Sequence, residues 1–259
     1  MEKKIKDIQQ EYKEKDDLEL PDFIEEYIRD GRPGVAKIIG QAKKRLDRLE
    51  QERQRLEVLR TYEHRYEDAY PMICGIDEVG RGPLAGPVCA AAVILPRDCE
   101  ILYINDSKKL SASMREKLYD EIMEKAVATG IGMAGPGRID EINILQATFL
   151  AMKRAVDGLE VKPDIALIDG NKKPGLDIAE WDIIKGDATS ANIAAASIIA
   201  KVSRDRYMRQ IAEKYPEYQF EKHKGYGTKL HYEMLDKYGI SDIHRKTFLK
   251  KYMNKKNEQ

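Results

Sequence analysis

The chain has 259 residues, room for one large domain or one domain with a smaller appendage at roughly 150 residues per domain. It is 42% hydrophobic and 35% charged, with 45 Lys+Arg against 45 Asp+Glu, so an anionic partner must be met by local clustering of basic residues and not by net charge. Three cysteines, Cys74, Cys89 and Cys99, without C-x-x-C or His/Cys ligand spacing, argue against a disulfide scaffold and a zinc site; with no apolar leader and no run of about 18 apolar residues, a cytoplasmic protein with no membrane association is expected.

Residues 1–70 are charge-dense and lack strand signals, and they read as an N-terminal helical extension. Asp30-Gly31-Arg32-Pro33-Gly34 separates a short amphipathic helix (Phe23, Ile24, Tyr27, Ile28, opened by Pro21) from a longer near-heptad pattern through Ile39, Ala42, Leu46, Leu49 and Leu56, with Arg53 interrupting the seam. Two helices forming a hairpin are expected. The alternating charges of Lys43, Lys44, Arg45, Asp47, Arg48 and Glu50 read as a solvated face, which favours a cap over a nucleic-acid clamp.

From residue 71 to 220 short apolar runs alternate with helical patterns. Ile73–Ile76 and Val88–Leu95 read as buried strands bounded by Gly or Pro, and 130–134 as a weaker third. Ser113–Lys125 and Ile139–Asp157 have helical spacing; Ile165–Ile168 and Trp181–Ile184 are further strands, and a long helix runs from about Ser190 to Tyr215. The order predicts an α/β layer structure, a mixed sheet flanked by helices. The alanines of the long helix, from Ala191 to Ala200, suit close packing on the sheet. Residues 221–259 read as a basic, aromatic, helical C-terminal segment (Lys222, His223, Lys224, Tyr226, Lys229, His231, Tyr232, Lys237, Tyr238, His244, Arg245, Lys246, Lys250, Lys251, Tyr252, Lys255, Lys256), expected to be a binding surface for nucleic acid packed on the preceding domain.

Acidic residues recur just past strand ends. Asp77-Glu78 follows Ile73–Ile76, Asp169 follows Ile165–Ile168, and Asp187 follows Ile183-Ile184 by way of Lys185-Gly186. Residues beyond the carboxyl ends of neighbouring parallel strands converge on one crevice. Crowded carboxylates repel unless a cation neutralises them, and hard oxygen donors without imidazole or thiolate suit Mg²⁺ or Mn²⁺. Two such ions can activate water and stabilise the leaving oxygen of a phosphodiester. Any one of these acids alone reads as a cap or turn residue; three sites, each flanked by Gly, favour the joint reading. Gly80-Arg81-Gly82-Pro83-Leu84-Ala85-Gly86-Pro87 follows at once: it is either a plain hairpin or a loop whose backbone approaches a sugar or phosphate. It lacks the Walker lysine and the Rossmann spacing.

These segments, together with Asn105-Asp-Ser-Lys108-Lys109-Leu, Asp169-Gly170-Asn171, the run from Lys185 through Lys201-Val-Ser-Arg204-Asp205, and Gly225-Tyr226-Gly227-Thr228, closely resemble bacterial ribonuclease HII, from about Met72 to near Lys250. The resemblance implies an RNase H-like fold and a metal-dependent endonuclease. Such enzymes hydrolyse the RNA strand of RNA–DNA hybrids and cut 5′ of ribonucleotides embedded in duplex DNA, leaving 3′-hydroxyl and 5′-phosphate ends. It also implies Mg²⁺ or Mn²⁺ held by the catalytic carboxylates Asp77, Glu78, Asp169 and Asp187. Gly80, Arg81 and Gly82 fall on the loop that senses the ribose 2′-hydroxyl, and Tyr226 on the tyrosine that stacks on the following deoxyribose. The 2′-hydroxyl is what separates RNA from DNA at a given sugar. Lys108 and Lys109 look like phosphate anchors, and Asn143 is a weaker candidate for that role. Asp106 and Asp205 read as turn, cap or ion-pair residues. The related HIII branch has a different loop after the Asp-Glu pair, so Arg81 implies HII specificity. A monomer is expected, and the motifs name no partner for the N-terminal extension.

Overall fold

A computed structural model describes residues 2–257 and side chains as far as Asn254; the side chains of Lys255 and Lys256 lie outside the described residues. The chain divides into two compact units, Met1–Glu57 and Val58–Gln259, a division that falls ahead of the compositional boundary at 70.

The first unit contains α1 (Ile5–Glu14), α2 (Leu20–Tyr27) and most of α3 (Pro33–Leu59). They bury a core of their own, with Ile8, Leu20, Phe23, Tyr27, Val35, Ile38, Ile39 and Ala42 at its centre. Lys43, Lys44, Asp47, Arg48 and Glu50 are exposed, as a solvated face requires. Residues 1–70 hold four helices instead of the expected two, because α1 and α4 (Thr61–Tyr66) are short. Ten and six residues carry too few apolar positions to stand out from their charges.

The second unit is built on a sheet of β1 (Ile73–Val79), β2 (Val88–Ile94), β3 (Ala128–Ala134), β4 (Ile165–Asp169) and β5 (Ala179–Ile183), in the order β3-β2-β1-β4-β5. β1, β4 and β5 run parallel, while β2 and β3 are antiparallel to their neighbours. Helix α5 (Ala112–Lys125) precedes β3, and α6 (Pro136–Asp157) packs on one sheet face, where Ile139, Ala147, Ala151, Met152 and Ala155 meet Cys74, Ile76, Ala90, Ala92, Ala166 and Ile168. Helix α7 (Ala191–Lys214) covers the other face, placing Ile193 among Ile73, Ile165, Leu167 and Ile183. The approach is close: a Cβ on Gly75 of β1 would lie 2.1 Å from the Asn192 carbonyl carbon, which excludes every side chain there. The alanine-rich half of α7, from Ala191 to Ala200, is buried throughout, as expected for close packing.

Two boundaries differ from the sequence reading in ways that matter for the site. β1 continues through Asp77 and Glu78 to Val79 and β4 ends on Asp169, so these acids lie within the carboxyl-terminal ends of their strands and do not follow them. α6 begins at Pro136 and bends at Asn143, whose φ is 65°; Asn143 Oδ1 accepts the N–H groups of Leu145 and Gln146 at 3.0 and 3.2 Å, restarting the helix as an internal N-cap.

The C-terminal segment contains α8 (Phe220–His223), α9 (Lys229–Tyr238) and α10 (Lys250–Asn257). Tyr218, Phe220, Leu235, Ile243 and Leu249 pack with Met208 and Ile211 of α7 and with Leu84 and Ala85 of the loop after β1. That loop is laced to the segment by Leu84 N–H to Gly225 O, Gly86 N–H to Ile243 O and Arg245 N–H to Leu84 O, each 2.8 Å.

Candidate active site

Strand register brings the predicted acids together. Ile76 pairs with Ile168, and Asp169 with Ile183, so Asp77 and Asp169 stand at one level near the carboxyl ends of adjacent parallel strands. Side chains alternate along a strand; Asp77 faces α7 and is 4% exposed, whereas Glu78 faces the α6 side. Asp169 Oδ1 accepts the Gly186 N–H at 2.7 Å, drawing the 3-10 turn Gly186–Ala188 with its Asp187 against the end of β4.

The electrostatics report the crowding. Burial pushes the Asp77 carboxyl well above the usual carboxylate range, and the charges of Glu78 and Asp169 push it further. Glu78 is raised chiefly by burial, with Arg81 opposing and Asp169 adding to the rise. Asp187 is pushed up to about 6, first by burial and then by Asp169 and Asp106. Asp106 thus touches the cluster while its carboxylate also caps the turn at 107–109 by accepting the Lys108 N–H at 2.9 Å. Lys108 faces these carboxylates: burial works to lower its pKa, but Asp77, Asp106, Asp187 and Asp169 together hold it raised. Lys109, its neighbour, is exposed. The buried Ser107 and Ser197 hydroxyls meet at 2.9 Å, pinning this turn to α7. Among the described residues no three His, Cys, Asp or Glu side chains form a ligand set; Asp169 is the acid whose charge Asp77, Glu78 and Asp187 each feel. A cleft of about 380 Å³ opens beside Glu78, Asp169 and Arg81, with Asn171 and Lys172 on its rim and Leu145, Phe149 and Met152 among its apolar wall residues.

The loop after β1 turns at Gly80, whose φ of 89° favours glycine. Arg81 is exposed and pairs with Glu78 at 3.5 Å. Two fully buried arginines hold the loop from beneath. Arg245 donates to Gly86 O through Nε at 3.0 Å, to Arg81 O through Nη1 at 2.8 Å and to Gly80 O through Nη2 at 2.6 Å. Arg204 donates to Pro87 O at 2.9 Å, Ala85 O at 3.3 Å and Lys224 O at 3.1 Å. Burial, then the positive charge of Arg204, lowers the pKa of Arg245 to about 9. The Arg204 guanidinium carbon also lies 5.7 Å from the centre of the Tyr226 ring, which is 39% exposed on the Gly225–Gly227 loop.

Sequence reasoning missed both arginines. For Arg204 a signal existed: it lies four residues beyond Ala200 on the buried face of α7, where a lone charged residue needs an explanation. Arg245 and the three histidines of the C-terminal segment were expected on a nucleic-acid surface, and the structure corrects this. Arg245, His223, His231 and His244 are 0%, 7%, 0% and 1% exposed. Their partners lie inside: His231 Nε2 meets His244 Nε2 at 3.0 Å, His231 Nδ1 meets Tyr226 O at 3.0 Å, and His244 Nδ1 accepts the Ser241 N–H at 3.0 Å. Lys222, Lys229, Lys237, Lys246, Lys250 and Lys251 remain exposed. Asp205 pairs with Lys201 at 2.8 Å, the ion-pair role expected of it.

The family model for ribonuclease HII matches residues 74–252, and that for the ribonuclease HII N-terminal domain matches residues 4–67. The chain belongs to the ribonuclease HII family. Ribonuclease HII of Lachnoclostridium phytofermentans is 54% identical over 226 residues, 87% of this chain and 89% of that one. The Clostridioides difficile ribonuclease HII is 49% identical over 90% of this chain and 93% of its own. Among solved structures, ribonuclease H2 of Pyrococcus horikoshii superimposes with a TM-score of 0.60 at 26% identity, covering 73% of this chain and 100% of that one. The sheet and flanking helices are therefore RNase H-like, and ribonuclease HII is a family of endoribonucleases that degrade RNA in RNA–DNA hybrids. Among the described residues no helix is long and apolar enough to cross a membrane.

Proposed function

We propose that this ribonuclease HII hydrolyses the RNA strand of hybrids and also cuts duplex DNA on the 5′ side of an embedded ribonucleotide, leaving 3′-hydroxyl and 5′-phosphate ends. The observation that carries the reading is that Glu78 and Asp169 line one cleft with Arg81 of the Gly80-Arg81-Gly82 loop.

The donor set fits Mg²⁺ or Mn²⁺: Asp77, Glu78, Asp169 and Asp187 offer only hard oxygens, in a cluster whose mutual repulsion a divalent cation would relieve. When bound, such ions supply Lewis acid chemistry at a phosphodiester, favouring a hydroxide nucleophile and the departing 3′-oxygen. The chain's own residues bind and orient. Arg245 already engages the carbonyls of Gly80 and Arg81, so the N–H groups of the loop are the ones that meet the ribose 2′-hydroxyl. Tyr226, propped beside Arg204, packs on the deoxyribose that follows. Lys108 holds a phosphate near the acids, and Lys109 and Asn143 are further phosphate contacts; the Asn143 side-chain oxygen is committed to its helix, so its amide NH₂ is the phosphate donor. The exposed lysines of the C-terminal segment hold flanking phosphates without reading bases. The enzyme acts as a monomer in the cytoplasm.

The test compares two duplexes that are identical except for one ribose, incubated with Mg²⁺. Cleavage only of the ribose-containing strand, on its 5′ side, is expected. Equal cleavage of both, or of neither, overturns the proposal.

A further inference from the structure

Asp187 stands on a turn that leads directly into α7, and the start of α7 is held from an unexpected direction. Glu63 of α4 reaches across 127 residues of sequence to accept the Ser190 hydroxyl at 2.5 Å and the Asn192 N–H at 3.0 Å through the same oxygen, Oε1. Ser190 Oγ accepts the Ile193 N–H at 3.2 Å, and the Ser190 N–H donates to Gly186 O at 2.8 Å. One carboxyl oxygen therefore ties the helix cap to the turn that bears Asp187, and the Gly186 N–H of that turn is bound to Asp169. The Asn192 side chain completes the brace by donating to Ile73 O at 3.1 Å and accepting the Leu95 N–H at 3.0 Å, which anchors α7 to β1, the strand of Asp77 and Glu78.

This arrangement is more than helix capping requires. Ser190 is itself a competent N-cap. Glu63 is 6% exposed, and its second oxygen, Oε2, is buried without a hydrogen-bond partner among the described residues, with only the charge of Arg60 to offset its burial. Burying a carboxyl group that is only half satisfied is unfavourable, so the cost needs a return elsewhere, and the bonded chain from Glu63 leads to two of the four clustered acids. We infer that Glu63 is a positioning residue for Asp187: it sets the start of α7 against β1, so that the 186–188 turn presents Asp187 beside Asp169. The inference rests on the reading of Asp187 as a metal ligand.

The full-length chain is titrated with Mn²⁺ alone by calorimetry, and cleavage of the ribose-containing duplex is measured across Mn²⁺ concentrations. Glu63→Ala should weaken Mn²⁺ binding about tenfold, the lower end for loss of an outer-shell support. The half-saturating Mn²⁺ for cleavage should rise to match, with KM for the duplex unchanged. Glu63→Gln keeps the accepting oxygen and should bind Mn²⁺ like the unaltered chain. A purely structural role lowers the melting temperature and leaves the Mn²⁺ affinity of the folded protein alone. Unchanged affinity in Glu63→Ala, or a Glu63→Gln as impaired as Glu63→Ala, overturns the inference. If Glu63→Ala does not fold, Ser190→Ala decides, since it removes the hydroxyl bond to Glu63 while the Asn192 N–H stays bound to Glu63 and the Ser190 N–H to Gly186 O; unchanged Mn²⁺ affinity there is equally fatal. Asp187→Asn separates the two levels. If it binds Mn²⁺ normally, the ligand reading itself fails; if it is impaired while Glu63→Ala is not, only the role of Glu63 falls.

Discussion

The carboxylate cluster and the glycine loop are neighbours in the chain, yet different physics builds them. Asp77, Glu78 and Asp169 ride on strand register, and regular backbone hydrogen bonds between β1, β4 and β5 decide where they stand. The loop at Gly80–Pro87 has no ladder of its own. Its carbonyls are gathered by guanidinium groups that arrive from α7 and from the C-terminal segment, more than a hundred residues away. The first arrangement places like charges together at an electrostatic penalty; the second buries positive charge against neutral dipoles to fix a backbone shape. A single cleft thus draws its reactive groups from regular structure and its shape selectivity from side-chain scaffolding.

Substitutions on each side should separate these contributions. Asp77→Asn is expected to slow cleavage about a thousandfold or more, the scale of losing a principal electrostatic group at a reacting centre. Duplex affinity should barely change, because phosphate contacts lie elsewhere. Its melting temperature should hold or rise, since a buried charge leaves a cluster of like charges. An equally fast variant in a standard cleavage assay would remove Asp77 from the site. Arg245→Lys retains charge but loses the planar fork. Discrimination between ribose and deoxyribose should drop by up to about a hundredfold as the loop shifts, and stability by about 3 kcal/mol as buried carbonyls lose donors. Parallel cleavage assays and urea titrations measure the two effects, and unchanged discrimination would detach the arginine from sugar sensing.

Acid should pull the two regions in opposite directions. His231 and His244 are each lowered to about 4, chiefly by burial and by other histidines nearby. The folded state therefore holds them neutral while the unfolded chain takes up protons near the usual pKa of 6.5. Their contribution to stability is complete above about pH 6.5 and is lost as pH falls toward 4, by about 2 kcal/mol per ring at pH 5. Asp187, raised to about 6, has the reverse sign: its penalty is present above pH 6 and is relieved as pH falls from there toward the usual carboxylate range. Denaturant titrations between pH 7 and pH 4.5 should show net loss, with the slope reduced in His244→Asn. A flat profile would contradict the buried-histidine account.

Much of this was legible in the sequence where periodicity is strong. β2, β4, α5 and α7 lie within one or two residues of their expected ranges, and strand ends pointed to the four acids as candidates. Asp77 and Glu78 read as lying beyond β1 because acidic residues are unfavourable in strands; pairing with β2 as far as Val79 extends the strand regardless. Short α1 and α4 carry too few apolar residues to be seen, so the brace from Glu63 was invisible as well. The C-terminal histidines and Arg245 are chemically indistinguishable from surface basic residues. Only packing against Leu84, Ala85 and Phe220 reveals which of them turn inward.

The central claim is that strand register, with the turn tied to the end of β4, gathers four carboxylates to bind divalent metal. Anomalous diffraction from crystals soaked in Mn²⁺ tests it directly. The account predicts Mn²⁺ coordinated by Asp77 and Asp169 together with Glu78 or Asp187, and a peak that none of these carboxylates contacts would contradict it.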